Sequence, residues 1–280
     1  MRVLVTGGTG QLARAIQATW SGHECLLLGR DALDLGSPLS IASALDLHRP
    51  EVVINAGAHT QVDHCETEPD LAMRLNGRAV GDLAEGCARL GALLVQISTD
   101  YVFDGSGSRP YVETDLTGPR TVYGRTKLEG ERLAEVTPQH LIVRTSWLYE
   151  AWGKNFLRTM LRAASQGKSL KVVDDQRGTP TSCRALAHQL QVAVDEGWRG
   201  LVHASCEGET TWFGFAQEIF RQRGLAVELA PCTTADYPVP APRPAYSVLS
   251  GTHRRELGTD VMPNWKAGLA EVLGAGVEES

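Results

Sequence analysis

The sequence lacks the features that mark nucleic-acid-binding, membrane-spanning and exported proteins. Its 280 residues carry a formal net charge of −6, and no run of lysine and arginine would attract nucleic acid or an anionic membrane. No apolar stretch approaches the roughly 18 residues of a transmembrane helix, and the first apolar run stops at Gly7, too short for a signal peptide. We therefore expect a cytoplasmic protein with no nucleic-acid or membrane partner.

Paired cysteines and regularly spaced histidines are also absent. The six cysteines form no Cys-x-x-Cys pair, and the eight histidines show no spacing typical of metal ligands. In a reducing compartment, such cysteines are mostly buried free thiols. The sequence therefore predicts that the cysteines are reduced and that the protein has no metal site, including no zinc site.

A glycine-rich turn follows the first apolar run. Gly7-x-x-Gly10-x-x-Ala13 stands after a β-branched apolar segment and before a helical pattern that opens with Gln11 and Leu12. Glycines at a strand-to-helix turn let the backbone approach a pyrophosphate, whose charge the helix N-terminus favours. An isolated match is often a turn without a ligand, but this one has the context that the motif requires. It predicts a dinucleotide site.

Strand-like runs alternate with helical segments through the first half of the chain. The predicted strands are 3–6, 25–28, 52–55, 93–98 and 141–144, and the predicted helices are 11–20, 38–48, 70–90 and 121–136. This alternation favours an α/β fold with a Rossmann-type, doubly wound parallel sheet. Ligands of such sheets bind at the carboxyl ends of the strands.

Beyond about residue 146 the pattern loosens into short helices and loops, including 174–181 and the proline-rich stretch 237–244. We therefore predict two lobes. Residues 1–145, with about 182–206 returning to the sheet, form the dinucleotide-binding Rossmann domain. Residues 146–181 and 207–280 form a smaller, discontinuous substrate lobe.

Tyr123 and Lys127 lie four residues apart in a predicted helix, so they share one face. That spacing alone is common on solvated helices, but Thr99, at the end of a predicted strand, brings a hydroxyl towards the same place. A phenol has a pKa near 10, and a neighbouring ammonium favours the phenolate and brings it closer to working range. The trio predicts proton donation by Tyr123 to an oxygen held by Thr99.

The end of the second predicted strand bears on cofactor choice. An acidic residue there would bind the adenine ribose of NAD, but this chain has Gly29 and Arg30, which leave room and positive charge for a 2′-phosphate. Asp31 follows and could offset that charge, and Arg30 could also be an ordinary exposed arginine. NADPH is favoured, and NADH stays possible.

These motifs resemble the extended short-chain dehydrogenase/reductase superfamily. Longer strings are similar to the dTDP-4-dehydrorhamnose reductase family, in the same order from residue 1 to about 270; they lie at 57–63, 98–105, 144–147, 155–156, 175–181 and 243–249. The resemblance implies an oxidoreductase of carbohydrate biosynthesis. Its reaction would be the NAD(P)H-dependent reduction of the C4 ketone of dTDP-6-deoxy-L-lyxo-4-hexulose to dTDP-L-rhamnose.

The same resemblance implies roles for individual residues. Tyr123 would give the proton, Lys127 would hold the nicotinamide ribose, and Thr99 would bond the carbonyl. Further cofactor contacts are implied for Asp34, Leu35, Ala56, Gly57 and Ala58. Contacts to the dTDP-sugar are implied for Asp100, Tyr101, Trp147, Asn155, Gln176 and Arg243. Trp147 could otherwise be a core aromatic, and Arg243 a solvated loop residue.

One departure from the family concerns magnesium. Members that dimerise through this ion carry a glutamate in the turn after the glycines, where this chain has Ala13, Arg14, Ala15 and Ile16. No carboxylate is available there for a hard cation. We expect a monomer or a homodimer, without a magnesium bridge.

Two other functions stay open. One is the reduction of another dTDP-deoxysugar at C4, of talose or antibiotic-sugar type, because few side chains set which hydroxyl geometry is accepted. The other is a non-catalytic regulatory subunit of the methionine adenosyltransferase type, on the same fold. Such a subunit need not keep Thr99, Tyr123 and Lys127 together.

Overall fold

A computed structural model describes residues 1–167 and 169–277. Residues 168 and 278–280, which belong to the predicted second lobe, lie outside the described residues. Within the described part, no helix has both the length and the apolar character that crossing a bilayer requires.

Up to about residue 145, strands alternate with helical segments as the sequence pattern predicts, and the later elements follow no strict alternation. The strands are β1 Arg2–Thr6, β2 Glu24–Leu28, β3 Val52–Asn55, β4 Leu93–Thr99, β5 His140–Thr145, β6 Leu148–Tyr149, β7 Leu170–Val173, β8 Arg177–Gly178, β9 Thr181–Ser182, β10 Gly200–His203, β11 Thr210–Thr211 and β12 Leu229–Cys232. The α-helices are α1 Gln11–Thr19, α2 Pro38–His48, α3 Val62–Thr67, α4 Pro69–Met73, α5 Ala79–Leu90, α6 Val122–Ala134, α7 Phe156–Ser165, α8 Cys183–Asp195, α9 Trp212–Arg223, α10 Thr252–Glu256 and α11 Trp265–Gly274.

The central sheet has six strands in the order β10-β5-β4-β3-β1-β2, and every pair in it is parallel. The predicted Rossmann-type fold is thereby confirmed. Chain order reverses at β1, which pairs with β2 on one side and with β3 on the other. Such a reversal leaves a crevice at the carboxyl ends of the two strands where it occurs, β1 and β3.

Helices cover both faces of this sheet. On one face α1 and α8 pack over the strands through residues such as Ile16 and Leu186, and the Trp20 indole Nε1 donates to the Ala187 carbonyl at 2.7 Å. On the other face α2 and α5 pack through Ile41 and Leu83. Because α8 and β10 belong to this layered structure, the chain returns to the sheet after leaving it.

A separate apolar cluster holds the later elements together. Phe215 of α9, Met160 of α7 and Leu269 of α11 belong to this cluster. Three small two-stranded sheets lie alongside: β7 with β12, β8 with β11, and β6 with β9. The segment 174–181, expected to be a loop, therefore contains two short strands. The exact division into two lobes stays a prediction.

The predicted helix 70–90 is interrupted. A π-helical turn at Arg74–Arg78 separates α4 from α5, and it presents Asn76 towards α6. Gly130 of α6 faces the Asn76 carbonyl so closely that a Cβ at position 130 would collide with it. Such turns insert one extra residue and frequently occur at functional sites.

Candidate active site

A cavity of about 710 Å³ opens at the carboxyl ends of the central strands. It brings most of the predicted site residues together. Those in its wall are Gly7, Gly10, Gln11, Leu12, Ala56, Gly57, Ala58, Thr99, Asp100, Tyr101, Tyr123, Lys127 and Trp147. Arg30, Asp34, Leu35, Asn155, Gln176 and Arg243 lie outside this wall.

The glycine turn fits a dinucleotide diphosphate. Gly7 has φ of +65°, and a Cβ there would come within 2.8 Å of the Gly57 Cα, so only glycine suits this place. The Gly10 amide donates to the Gly7 carbonyl at 2.7 Å, which closes the turn. At the start of α1 no side chain caps the helix and no acidic residue lies in the first turn. The helix N-terminus therefore presents free N–H groups and a favourable dipole to an anion.

A buried polar chain fixes the ends of the central strands behind that turn. The Thr6 hydroxyl donates to the Asn55 Oδ1 at 2.6 Å, and the Asn55 amide donates to the Gln96 Oε1 at 2.7 Å. The Gly57 amide donates a hydrogen bond to the Thr6 Oγ1 at 3.0 Å. Buried polar groups in such a chain satisfy one another, so the strand ends hold one geometry.

Residues predicted for the adenine end lie beyond the cavity wall. The Arg30 side chain is 87% exposed, and its Nε is 3.8 Å from the Asp34 Oδ1. Leu35 is buried and packs next to Gly57. Arg30 stands free to move towards a 2′-phosphate, but its role and that of Asp34 stay predictions.

Helix α6 delivers the tyrosine and the lysine. Thr121 caps it by accepting from the Gly124 amide at 3.0 Å, and a Cβ at Gly124 would collide with the Tyr101 carbonyl. The α6 backbone therefore lies tight against the Tyr101 turn. From it Tyr123 and Lys127 line the same cavity as Thr99, and the Lys127 Nζ donates to the Ile97 carbonyl at 2.6 Å.

The electrostatics of this trio differ from the sequence-based expectation. Burial raises the pKa of Tyr123 above its ordinary value, although the Thr99 hydroxyl acts in the opposite direction. Burial also lowers the pKa of Lys127 to about 8, against the pull of Glu131. The expectation that the Lys127 ammonium lowers the phenol pKa is not met in the protein without cofactor, because burial is the largest influence on this pKa and raises it. Tyr123 therefore stays protonated at neutral pH, as a proton donor must.

A buried ion pair lies behind Lys127. Glu131, one helical turn further along α6, accepts from Arg144 through both carboxylate oxygens, with Nη2 at 2.7 Å and Nε at 2.9 Å. The Ser98 hydroxyl donates to the same carboxylate at 2.5 Å. Both charged side chains are at most 5% exposed, so the pair fixes α6 against β4 and β5. Sequence reasoning missed Glu131, although its spacing of four from Lys127 was a usable signal.

Asp100 lies directly behind the Thr99 hydroxyl. That hydroxyl donates to the Asp100 Oδ1 at 2.9 Å, while the Oδ2 is buried and has no hydrogen-bond partner among the described residues. Burial raises the pKa of Asp100 to about 6. To bond a ketone oxygen, the Thr99 hydroxyl must turn its hydrogen away from Asp100.

Two stacked tryptophans form part of the cavity wall. The rings of Trp147 and Trp212 lie 3.5 Å apart with planes 5° from parallel. Trp147 has φ of +47°, uncommon for a bulky residue. A Cβ at Gly178 would fall 2.5 Å from the Trp147 ring, so this glycine makes room for the stack. Sequence reasoning missed Trp212, because nothing local links it to a partner 65 positions away in the chain.

Three predicted substrate residues have other partners in the structure. Asn155 caps α7, and its amide donates to the Gln11 Oε1 at 2.6 Å. Gln176 accepts from the Trp212 indole at 3.1 Å, so it supports the stack. Arg243 pairs with the Asp63 carboxylate at 2.7 Å and lines a smaller cavity of about 220 Å³ that Tyr101 also borders. Direct contact of these three with a substrate stays a prediction.

Two further predictions concern the cysteines and the first turn of helix α1. All six cysteines are free thiols, as predicted. Ala15 is fully buried, and Arg14 is the exposed residue of that turn of α1. The surface there presents no carboxylate from residues 13–16, as the sequence indicates.

Comparisons with known proteins agree on one family. A family model described as the RmlD substrate binding domain matches residues 1–277. The dTDP-4-dehydrorhamnose reductase of Streptomyces griseus is 43% identical over 284 residues, covering 98% of this chain and 93% of the relative. A probable dTDP-4,6-dihydroxy-2-methyloxan-3-one 4-ketoreductase of Streptomyces antibioticus is 41% identical, covering 98% of this chain and 95% of the relative.

A solved structure extends the similarity to the whole fold. The dTDP-4-dehydrorhamnose reductase of Bacillus anthracis, in complex with NADP, superposes with a TM-score of 0.96 at 33% identity. The alignment covers 98% of this chain and 99% of that one.

Proposed function

This chain belongs to the RmlD substrate binding domain family, and on that premise we propose that it reduces the C4 ketone of dTDP-6-deoxy-L-lyxo-4-hexulose to dTDP-L-rhamnose with NADPH. The observation that carries the assignment is the shared cavity: the glycine turn and the Thr99, Tyr123 and Lys127 trio line one space. A dinucleotide and a ketone can therefore meet there.

When bound, NADPH supplies the hydride that reduces C4. The chain's own residues deal with the oxygen. Thr99 holds the ketone oxygen by a hydrogen bond, and Tyr123 gives its phenolic proton to that oxygen as negative charge develops there. The resulting phenolate is stabilised by Lys127, whose ammonium is kept on the same face of α6.

The geometry supports this sequence of events. Tyr123 and Thr99 line the same cavity, so a ketone oxygen that enters beside both hydroxyls meets two donors. Before the ketone binds, the Thr99 hydroxyl donates its hydrogen bond to the Asp100 carboxylate. When the ketone binds, this hydroxyl rotates and donates to the ketone oxygen instead. Burial keeps the phenol protonated until then.

The sugar lies against the flat face of the Trp147 and Trp212 stack, which forms part of the cavity wall. Gln176 and Asn155 hold this side in place, through Trp212 and Gln11 respectively. Arg243 exchanges Asp63 for the substrate diphosphate, since a guanidinium can bond two oxygens at once.

The cofactor preference is for NADPH, with Arg30 meeting the 2′-phosphate and Asp34 and Leu35 beside the adenine. The absence of a carboxylate on the exposed turn of α1 supports an enzyme without a magnesium bridge. Monomer and homodimer are both compatible with that surface, and the cytoplasmic location stays a prediction.

One relative supports a second candidate. The relative from Streptomyces antibioticus bears the name of a 4-ketoreductase for a different dTDP-linked sugar. Reduction of another dTDP-deoxysugar by the same residues is therefore the alternative. The presence of Thr99, Tyr123 and Lys127 together argues against a purely regulatory subunit.

The test is NADPH consumption with purified dTDP-4-keto sugars, followed by identification of the sugar released from the product. We expect one NADPH oxidised per keto sugar and L-rhamnose as the sugar. Formation of 6-deoxy-L-talose would support the alternative, and no consumption with any dTDP-4-keto sugar would contradict both.

A further inference from the structure

Three side chains that the reduction does not use converge beside the cavity wall. His59 follows the 56–58 segment, His64 lies in α3, and Glu68 follows that helix. The His59 Nε2 is 3.3 Å from the His64 Nδ1, which is 3.5 Å from the Glu68 Oε2. One donor atom from each residue lies within 4.8 Å of the other two. We propose that these residues bind a borderline divalent cation such as Zn²⁺, at a site separate from the catalytic groups.

The distances suit that ion. With zinc-to-nitrogen bonds of about 2.0–2.1 Å, two ligands of a tetrahedral ion lie about 3.4 Å apart. Two imidazoles and one carboxylate are also an established zinc ligand set, with water in the fourth position. The His64 and Glu68 side chains are 49% and 43% exposed, so water reaches the site.

A hydrogen bond alone explains these contacts less well. The His64 Nδ1 is close to both the His59 Nε2 and the Glu68 carboxylate, but it carries either one hydrogen or one lone pair and so makes a good hydrogen bond with only one of them. One of the two contacts therefore has no hydrogen from that atom. A cation that accepts one lone pair from each of the three side chains satisfies all three ligand atoms at once.

The first ligand is held in place before any ion arrives. The Asn76 side chain accepts from the His59 amide at 2.8 Å and donates to the His59 carbonyl at 3.1 Å. Asn76 also donates to Thr126 of α6 at 3.2 Å, so the π-helical turn anchors it. The other two ligands are four residues apart, a spacing that faces one side of a helical turn. The expectation that the histidines form no metal site came from sequence spacing and did not foresee this convergence.

The test uses the whole chain, stripped of metal with a chelator that is then removed, and titrated with Zn²⁺ by calorimetry. We expect one strong site per chain. His64→Gln and Glu68→Gln should each weaken Zn²⁺ binding by at least about tenfold, the smallest loss usual even for an outer-shell partner. His253→Gln is the matched control, because His253 has a similar carboxylate contact at 3.6 Å to Glu256 but no third ligand in the described part of the chain. The His253→Gln variant should bind Zn²⁺ with the affinity of the wild type.

Cysteines are the main competitors for zinc, since Cys25 and Cys232 are partly exposed. Co²⁺ in place of Zn²⁺ distinguishes them, because thiolate ligands give an intense charge-transfer absorption and imidazole with carboxylate does not. NADPH turnover by the His64 and Glu68 variants verifies that they fold. The proposal is overturned if Zn²⁺ fails to bind, if both ligand variants bind as the wild type does, or if bound Co²⁺ shows thiolate absorption.

Discussion

The two sides of the cavity are constructed differently. The dinucleotide side consists of strand ends and backbone, with Gly7, Ala56 and Thr99 each directly after or at the end of a strand. The side proposed for the substrate consists of side chains far apart in sequence, such as Trp147 stacked on Trp212. A repeated local pattern fixes the first side. Only tertiary packing creates the second.

The largest expected effect lies where the two sides meet. Tyr123→Phe removes the transferable proton and leaves both walls intact, so kcat should fall by about 100- to 10,000-fold. NADPH affinity, measured by fluorescence titration, should hardly change. Tyr237→Phe, at a 65% exposed residue, is the control. Turnover within threefold of the wild type in Tyr123→Phe would remove this residue from the reaction.

A smaller effect should be confined to the dinucleotide side. Charge-assisted hydrogen bonds contribute about 1.5–3 kcal/mol, and the high exposure of Arg30 reduces that by solvent screening. We therefore expect Arg30→Ala to raise the KM for NADPH about fivefold and to leave the KM for NADH unchanged. Arg89→Ala, another exposed arginine with an acidic neighbour, is the control. Equal changes for both cofactors would make Arg30 an ordinary surface residue.

The substrate side can be changed alone through Gly178. An added methyl group would press on the Trp147 ring, and overpacking of this kind costs from about 1 kcal/mol upwards. Gly178→Ala should raise the KM for the keto sugar about fivefold and leave NADPH binding intact. Gly274→Ala, where a methyl group meets open space, should change neither. A shift in NADPH binding alone would show that the two sides are not independent.

The smallest expected effect concerns metal removal. The proposed mechanism gives a cation no part on either side of the cavity, so EDTA should leave kcat within error of the untreated enzyme. The comparison is made with and without added salt, because divalent ions also screen the substrate diphosphate. Complete loss of turnover in EDTA, restored only by Mg²⁺, would reveal a metal role that the mechanism lacks.

The contrast between the two sides also explains which features the sequence could predict. The strand Val52–Asn55 and the helix Pro38–His48 have the predicted bounds, since alternation and a proline at the helix start are local signals. The glycine turn and the Tyr123 and Lys127 pair follow from spacing alone. Their joint place in one cavity follows from the parallel sheet, which gathers strand ends at one edge.

What the sequence could not predict depends on distant partners or on burial. The π-helical turn at Arg74–Arg78 exists where Asn76 and Gly130 meet, 54 positions apart. The place of Trp212 depends on a left-handed Trp147 and on Gly178. The raised pKa of Tyr123 reflects the desolvation of its phenol, which the spacing of a tyrosine and a lysine does not report.

Isotope transfer tests the central claim most directly. Wild-type protein is incubated with dTDP-6-deoxy-L-lyxo-4-hexulose and NADPH that carries deuterium at the transferable position of the nicotinamide, and the product is analysed by NMR. We predict dTDP-L-rhamnose with one deuterium at C4. A product without deuterium at C4, or no product under conditions where the protein binds both NADPH and the keto sugar, would contradict the account.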